Sequence, residues 1–381
     1  MSSKGCCYTP GLKRKATTIV QKTRRLPIPG EVLVSKGEKV EADTIIARTF
    51  IPGDVYTLNV ASLLGIDVWE TSKYMLKKEG EAVEKNEPLA LAKTFFGLFK
   101  RYAYAPASGT VERVSDVTGQ VLIRETQIPL EVDAYIPGRV AEIFPKEGAT
   151  IETAAAFIQG IFGIGGERKG SLMMVSESPS DVLTAKQLVP GCKGKIVVGG
   201  ARATNDAIKK AVKAGVKGMV VGGLDDNDLS SFLGYKIGVA ITGHENIPLT
   251  LIITEGFGEI AMSEKTFLLL KEFDGEQASI NGATQIRAGV LRPEIIIPKA
   301  SIPPEKLRGL ESKAPPEEGL LPGTPIRIIR EPYFGALGVV SKLPIQLRTI
   351  GTESSVRVLE AQLIDGRQVT VPRANVEMIE E

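Results

Sequence analysis

Histidine, tryptophan and cysteine are nearly missing from this 381-residue chain, which has one His, one Trp and three Cys. The thiols, Cys6, Cys7 and Cys192, form no Cys-x-x-Cys pair, and the one imidazole, His244, is remote from them in sequence. A zinc site and a disulfide framework are therefore unsupported. The same scarcity removes the parts of most acid–base and metal-assisted mechanisms. No catalytic residue, metal ligand or cofactor is assigned, and the reading leans away from an enzyme. No apolar run reaches the roughly 18–20 residues of a membrane span, and the N-terminus has charges but no apolar signal core. The expectation is a cytoplasmic protein with no membrane partner. Acidic residues are absent from positions 1–25, which hold seven Lys/Arg: Lys4, Lys13, Arg14, Lys15, Lys22, Arg24 and Arg25. The whole chain is at +2, so the remainder is at 2 − 7 = −5. Such asymmetry suits a flexible basic arm over residues 1–26 that touches nucleic acid or another anionic surface, with Lys13, Arg14, Lys15, Arg24 and Arg25 as contacts.

Glycine and proline, at 40 and 23 residues, are plentiful and recur in register. Four segments open alike: Pro29-Gly30-Glu31-Val32, Pro52-Gly53-Asp54-Val55, Pro106 with Gly109-Thr110-Val111, and Pro137-Gly138-Arg139-Val140. Three turns also match: Lys36-Gly37-Glu38-Lys39-Val40, Glu79-Gly80-Glu81-Ala82-Val83 and Glu147-Gly148-Ala149-Thr150-Ile151. Proline marks a strand edge, and the first glycine permits a bend or close backbone approach. The turn glycine supplies positive φ, and the following Val or Ile points to a core. Residues 60–78 add a helical insertion with Trp69 packed in the core. The stretch Phe95–Pro106 interleaves Phe and Tyr with Lys100 and Arg101, a pattern that stacks on bases or, in a β-rich unit, packs core and edges.

This rhythm resembles the barrel-sandwich hybrid fold of biotinyl and lipoyl domains. The resemblance covers roughly residues 27–165 of a β domain expected over 27–175, without the neighbours that flank a modified lysine in those carriers. Shape alone, and no carried group, is what it implies.

From about 185 to 298 strands alternate with helices, which argues for a Rossmann-like α/β domain. Ile196–Val198 suits a buried parallel strand. Thr204 caps a helix that Gly215 ends, and Ser263 opens another. Tyr235–Gly243 and Pro248–Gly256 read as further strands. The loop Gly199-Gly200-Ala201-Arg202-Ala203-Thr204 reaches a helix N-terminus, where Gly199, Gly200, Arg202 and Thr204 could hold an anion, although it matches neither nucleotide-binding glycine motif. Residues 299–322 are a proline-rich, charged linker.

The last segment holds Gly323, Ile326, Ile328, Pro332, Tyr333, Phe334, Gly335, Gly338 and Val340, then a strand at Val356–Val358, an Asp365-Gly366-Arg367 turn and Val369–Pro372. This resembles a KOW module of transcription elongation factors and ribosomal proteins, and implies a small SH3-like barrel over 323–381. Alternation of Ile326 with Ile328 and of Val356 with Val358 predicts half-buried strands, with Arg327, Arg330, Lys342, Arg348, Arg357, Arg367 and Arg373 giving a basic surface. The resemblance implies contacts to RNA or a protein partner through Arg330, Tyr333, Phe334 and Lys342.

The sum is a multidomain, β-rich α+β protein of non-enzymatic character that docks on transcription or translation machinery, with RNA, a ribonucleoprotein such as RNA polymerase, or a protein as partner. Two alternatives stand beside it. One is an α/β domain that binds a nucleotide or phosphorylated ligand and could act as an enzyme. The other is a self-assembling homo-oligomer built through exposed sheet edges.

Overall fold

The computed structural model describes residues 12–94, 99–235, 247–284, 291–299, 302, 304, 307, 320–328, 332–333, 336–344, 346–349 and 355–380. The chain is β-rich, with several sheets and a few short helices. Among the described residues no helix is long and apolar enough to cross a membrane.

The glycine repeats build two copies of one hairpin unit, one inserted in the other. In the outer copy, Gly37 donates to the Val140 carbonyl (2.8 Å), Val140 to Glu38 (2.9 Å) and Ala134 to Thr44 (2.9 Å). In the inner copy the equivalent bonds run from Gly80 to Val111 (2.8 Å), Val111 to Glu81 (3.0 Å) and Ala105 to Glu87 (2.9 Å). Glu38 and Glu81 even fold back identically, accepting the amides of Ser35 (2.8 Å) and Lys78 (3.1 Å). The chain leaves the outer copy after Ile51 and returns at Ile128, and these two residues are cross-strand partners. The insertion is therefore a whole module over 55–125 with its own core, including Val60, Leu89, Val111, Val121 and Ile123. It is larger than the helical insertion expected over 60–78, whose helices Val60–Leu64 and Thr71–Tyr74 are only part of it.

The predicted close approaches are present. A Cβ on Gly30, Gly53, Gly109 or Gly138 would lie 2.3, 2.4, 2.1 or 2.3 Å from a backbone carbonyl oxygen. Gly37 and Gly80 take the positive φ of the turn, +85° and +86°.

The helical part is a mixed sheet. Glu167–Met174, Ile196–Val198, Gly218–Leu224 and Thr250–Phe257 run parallel in that order, flanked by antiparallel Phe162–Ile164 and Gln277–Asn281. Consecutive residues point to opposite faces, so Val197, Met219, Val221, Leu251 and Ile253 join a core under the helices Asn205–Ala214 and Asp226–Leu233. Ile196, Val198, Val220 and Ile252 face the other core, closed by the helix Glu264–Glu272 through Phe267 and Leu270. Thr204 and Gly215 bound the first helix as its sequence requires, the former accepting the Ala207 amide (3.3 Å) and the latter at φ +72°.

The boundary expected between residues 175 and 185 is crossed by strand pairing. Glu167–Met174 begins the parallel sheet, and the 12-residue strand Gly148–Gln159 pairs with Glu294–Pro298. Residues 12–25 correct a second expectation: they are no flexible arm. Leu12–Arg25 is a 14-residue strand paired with Gly148–Gln159 from Arg25↔Gly148 to Arg14↔Ile158. Leu12, Thr18 and Val20 are buried in it. Lys4, Cys6 and Cys7 lie outside the described residues, as do His244 and most of the expected strand Tyr235–Gly243.

At the C-terminus, Val376–Glu380, Pro325–Ile328, Leu337–Lys342, Ser355–Leu363 and Gln368–Pro372 are neighbours in that order around a core including Ile326, Ile328, Leu359 and Val376. Leu347–Thr349 pairs with the start of the long strand. The expected turn is made by Gly366 at φ +85°. Leu12 and Lys13 pair in parallel with Ile379 and Glu380, which ties this unit to the first strand.

Candidate functional site

The basic residues of the first strand are mostly committed within the protein. Arg24 donates to both carboxylate oxygens of Glu167 (2.7 Å each) and to Asp133, over the ring of Tyr135 at 5.3 Å. Burial works against the Arg24 charge, but Glu167 and Asp133 outweigh it and hold its proton more tightly than usual. Lys22 binds Glu294 (2.5 Å) and Arg25 binds Glu147 (3.3 Å). Arg14 donates to the hydroxyls of Ser263 (3.0 Å) and Thr266 (3.3 Å). A free polycation for an anionic partner is therefore not what residues 14–25 present. Lys13 is exposed beside the terminal strand of the C-terminal unit, and Lys15 is half-buried two residues on.

A second polar knot lies next to Arg24. Lys169 binds Asp133 (2.5 Å) and Asp43 (2.6 Å). Partial burial lowers its affinity for a proton, and the two carboxylates more than reverse that. The Tyr135 hydroxyl faces Glu294 (3.4 Å), and burial followed by the charges of Glu294 and Glu167 raises its pKa well above the ordinary phenol value.

The Gly199–Thr204 loop is wired into the sheet. The amides of Gly199, Ala201 and Thr204 donate to the carbonyls of Val220 (2.8 Å), Asp181 (2.8 Å) and Leu183 (3.0 Å). A Cβ on Gly200 would lie 2.5 Å from the Ser178 carbonyl, so that glycine serves backbone packing. Arg202 faces two carboxylates, Glu259 (2.9 Å) and Asp228 (3.6 Å). Three of the loop's amides are thus directed at protein carbonyls, and the Arg202 guanidinium lies between two carboxylates. A cleft of about 350 Å³ lies elsewhere, lined by Lys39, Arg139, Glu152, Thr153 and Lys299 among others, with charges of both signs.

In the C-terminal unit, Arg330 and Phe334 fall outside the described residues. Tyr333 is half-buried against the core of the C-terminal unit, with the Arg367 guanidinium 5.8 Å from its ring centre. Arg327, expected on the surface, is instead 3% exposed between Ile326 and Ile328, so this strand is buried on both faces. Its guanidinium meets Glu255 of the parallel sheet and the Thr254 carbonyl (3.2 Å). Its cross-strand neighbour Glu377, fully buried, binds Arg292 (2.7 Å). Glu255 also accepts the Ser263 amide at the start of the helix Glu264–Glu272 (3.0 Å). Arg373 is likewise inward, donating to the carbonyls of Val358 and Pro344.

Part of what is exposed on the C-terminal sheet is a rim. Leu347 is 60% exposed and lies across from Arg357, with Arg348 next to it. Lys342 is the cross-strand partner of Glu360, to which Arg348 also reaches (3.4 Å).

One aromatic expectation is corrected, and for Tyr102 and Tyr104, where two readings stood open, core packing is set aside. Trp69 is 61% exposed with the Lys73 ammonium 5.0 Å from its ring centre, because it sits on a short turn outside the inserted module's core. Tyr102 and Tyr104 are 39% and 51% exposed and stack on one another at 5.9 Å. Their strand buries Ala103 on its inner face, which turns both rings outward. Phe95 and Phe96 lie outside the described residues. The absence of any acid between Pro88 and Tyr104 was the signal available in the sequence.

Among the described residues, no group of three or more His, Cys, Asp or Glu side chains is placed to hold a metal ion. The chain matches no protein-family model and no curated protein.

Proposed function

We propose that this protein is a non-enzymatic docking protein of transcription or translation machinery, engaging RNA or a ribonucleoprotein through a KOW-like C-terminal barrel. The observation that carries this reading is the barrel rim. Leu347, 60% exposed, lies across from Arg357, while Lys342 lies across from Glu360, which Arg348 also reaches. An apolar residue left in water across from a cation, on a strand pair whose neighbours carry further cations, suits a partner with a phosphate backbone and exposed base or protein surface. The parallel strand contact of Leu12 and Lys13 adds Lys13 at the barrel's edge. The groups that would suggest chemistry elsewhere, Glu255, Arg327 and Arg202, are engaged by opposite charges. The nested hairpin units and the mixed sheet then act as a platform in this reading.

Filter binding of structured ribosomal RNA to the full chain, across a salt series, tests it. Replacing Lys342, Arg348 and Arg357 with Ala together should weaken binding across sequences and flatten the salt slope by about 1 for each phosphate no longer bound. Unchanged affinity in that triple variant would remove the barrel rim from the function.

A further inference from the structure

The ribbon formed by Pro88–Thr94 and Phe99–Tyr104 has two unlike faces. Its inner face is sealed into the inserted module by Ala92 and Ala103, which are 4% and 1% exposed. On its outer face the register sets Leu91 across from Tyr102 and Lys93 directly across from Lys100. Lys100, Tyr102 and Tyr104 share one side of their strand and so extend about 13 Å along it.

Two features are poor choices for a purely structural surface. Like charges directly opposite one another destabilise an antiparallel pair, and Lys93 and Lys100, both exposed, are such a pair. No acid between Pro88 and Tyr104 offsets them, and Arg101, the remaining cation of the stretch, turns to the helix end at Leu64, whose carbonyl its guanidinium approaches at 3.5 Å. Secondly, two tyrosine rings stack side by side in water when burial would stabilise the fold. A ligand carrying both phosphates and flat rings resolves both features at once.

We propose that this outer face is a platform for single-stranded nucleic acid, with bases stacked on Tyr102 and Tyr104 and phosphates held by Lys93 and Lys100. A single strand is specified because its bases are free to leave their own stack, whereas a duplex keeps them inside. The inference rests on the proposed docking on RNA but uses a surface other than the barrel rim, so the two fail separately.

The test is fluorescence anisotropy of a labelled oligouridylate with the full-length chain. Tyr102→Ala and Tyr104→Ala should each weaken binding about 5- to 150-fold, the range for removing one stacked base. The pair Tyr102→Phe/Tyr104→Phe keeps the rings and should keep the affinity, which separates stacking from misfolding. Lys93→Ala/Lys100→Ala should reduce the salt slope by about 1.4, two single-strand phosphates at about 0.7 each. No binding by the wild-type chain overturns the inference. So does full affinity in both alanine variants, and if the barrel-rim variant alone then bound more weakly, the proposed function would stand without this site. Equal binding of a duplex that survives both tyrosine substitutions, or occupation of this face by a protein instead, also overturns it.

Discussion

Arg327 of the C-terminal sheet presses its guanidinium against the carboxylate of Glu255 in the parallel sheet, with only 4% and 5% of the two side chains exposed. Neither residue belongs to the other's unit, so the pair is a buried latch between barrel and body. Glu377 and Arg292 extend it into a four-residue network. The network covers the Arg327 side of its strand with the parallel sheet.

Removing one member of a buried pair leaves the other charge without compensation, which is far more damaging than replacing both. Arg327→Met should therefore destabilise the protein by about 3–5 kcal/mol in urea denaturation, with faster amide exchange in the barrel strands. Arg327→Met combined with Glu255→Leu should recover much of that stability, although Glu377 keeps only Arg292. An unchanged denaturation midpoint in the single variant would show that packing alone holds the junction.

The first strand makes a contrasting pair of predictions. Arg24 is 16% exposed in its side chain and bridges Glu167 and Asp133. Arg24→Ala should cost about 1–3 kcal/mol by leaving the half-buried Glu167 carboxylate unpaired, while Asp133 keeps Lys169. Lys13→Ala, at an exposed site, should stay within about 0.5 kcal/mol. Equal, small effects would restore the picture of a loosely held basic arm; thermal melts of both variants decide it.

Glycine replacements report on the nested hairpin units. A Cβ at Gly138 would sit 2.3 Å from the Glu152 carbonyl oxygen, so Gly138→Ala must displace a strand and should destabilise by about 1–3 kcal/mol. Gly191 has nothing within 4 Å of its Cβ position and no positive φ. Gly191→Ala should be neutral or stabilising by up to about 1 kcal/mol through the unfolded chain. Similar outcomes for the two would contradict the close approach.

Tyr135 and Lys169 set an alkaline limit. In the unfolded chain a phenol ionises near pH 10 and a lysine near pH 10.4, to within about a unit. Burial and the neighbouring carboxylates make the folded protein hold the Tyr135 proton longer, and Asp133 and Asp43 do the same for Lys169. Both contributions are complete below about pH 10 and disappear as pH rises further, since only the unfolded state then releases these protons readily. Melting temperature should fall steeply above about pH 10, and Tyr135→Phe, which keeps the ring beneath Arg24, should flatten the fall. A Tyr135→Phe profile that superimposes on the wild type would exclude the phenol from the effect.

The local features were legible because they depend on short-range sterics. Gly30, Gly53, Gly109 and Gly138 announced themselves by spacing, and each makes the backbone approach that only glycine allows. Thr204 and Gly215 bounded a helix for the same reason. Arg327 was illegible: it alternates with Ile326 and Ile328 as an outward residue of a half-buried strand would, and only the docking of the barrel on the body covers its side. The first strand misled similarly, since seven cations in 25 residues read as an arm until the partners Glu167, Asp133 and Glu294 arrived from more than 100 residues away.

The sequence by itself determined the β-rich character, the repeated hairpin turns, and the helices and turns of the mixed sheet, because φ preference, capping and periodicity act over a few residues. Tertiary structure alone decided which charges are exposed, which are latched, and which aromatics face water. Those outcomes depend on what packs against each face, and the local chain carries no record of its distant neighbours. Tyr102 and Tyr104 of the inserted ribbon face water, and Arg327 of the C-terminal sheet is buried, for that reason.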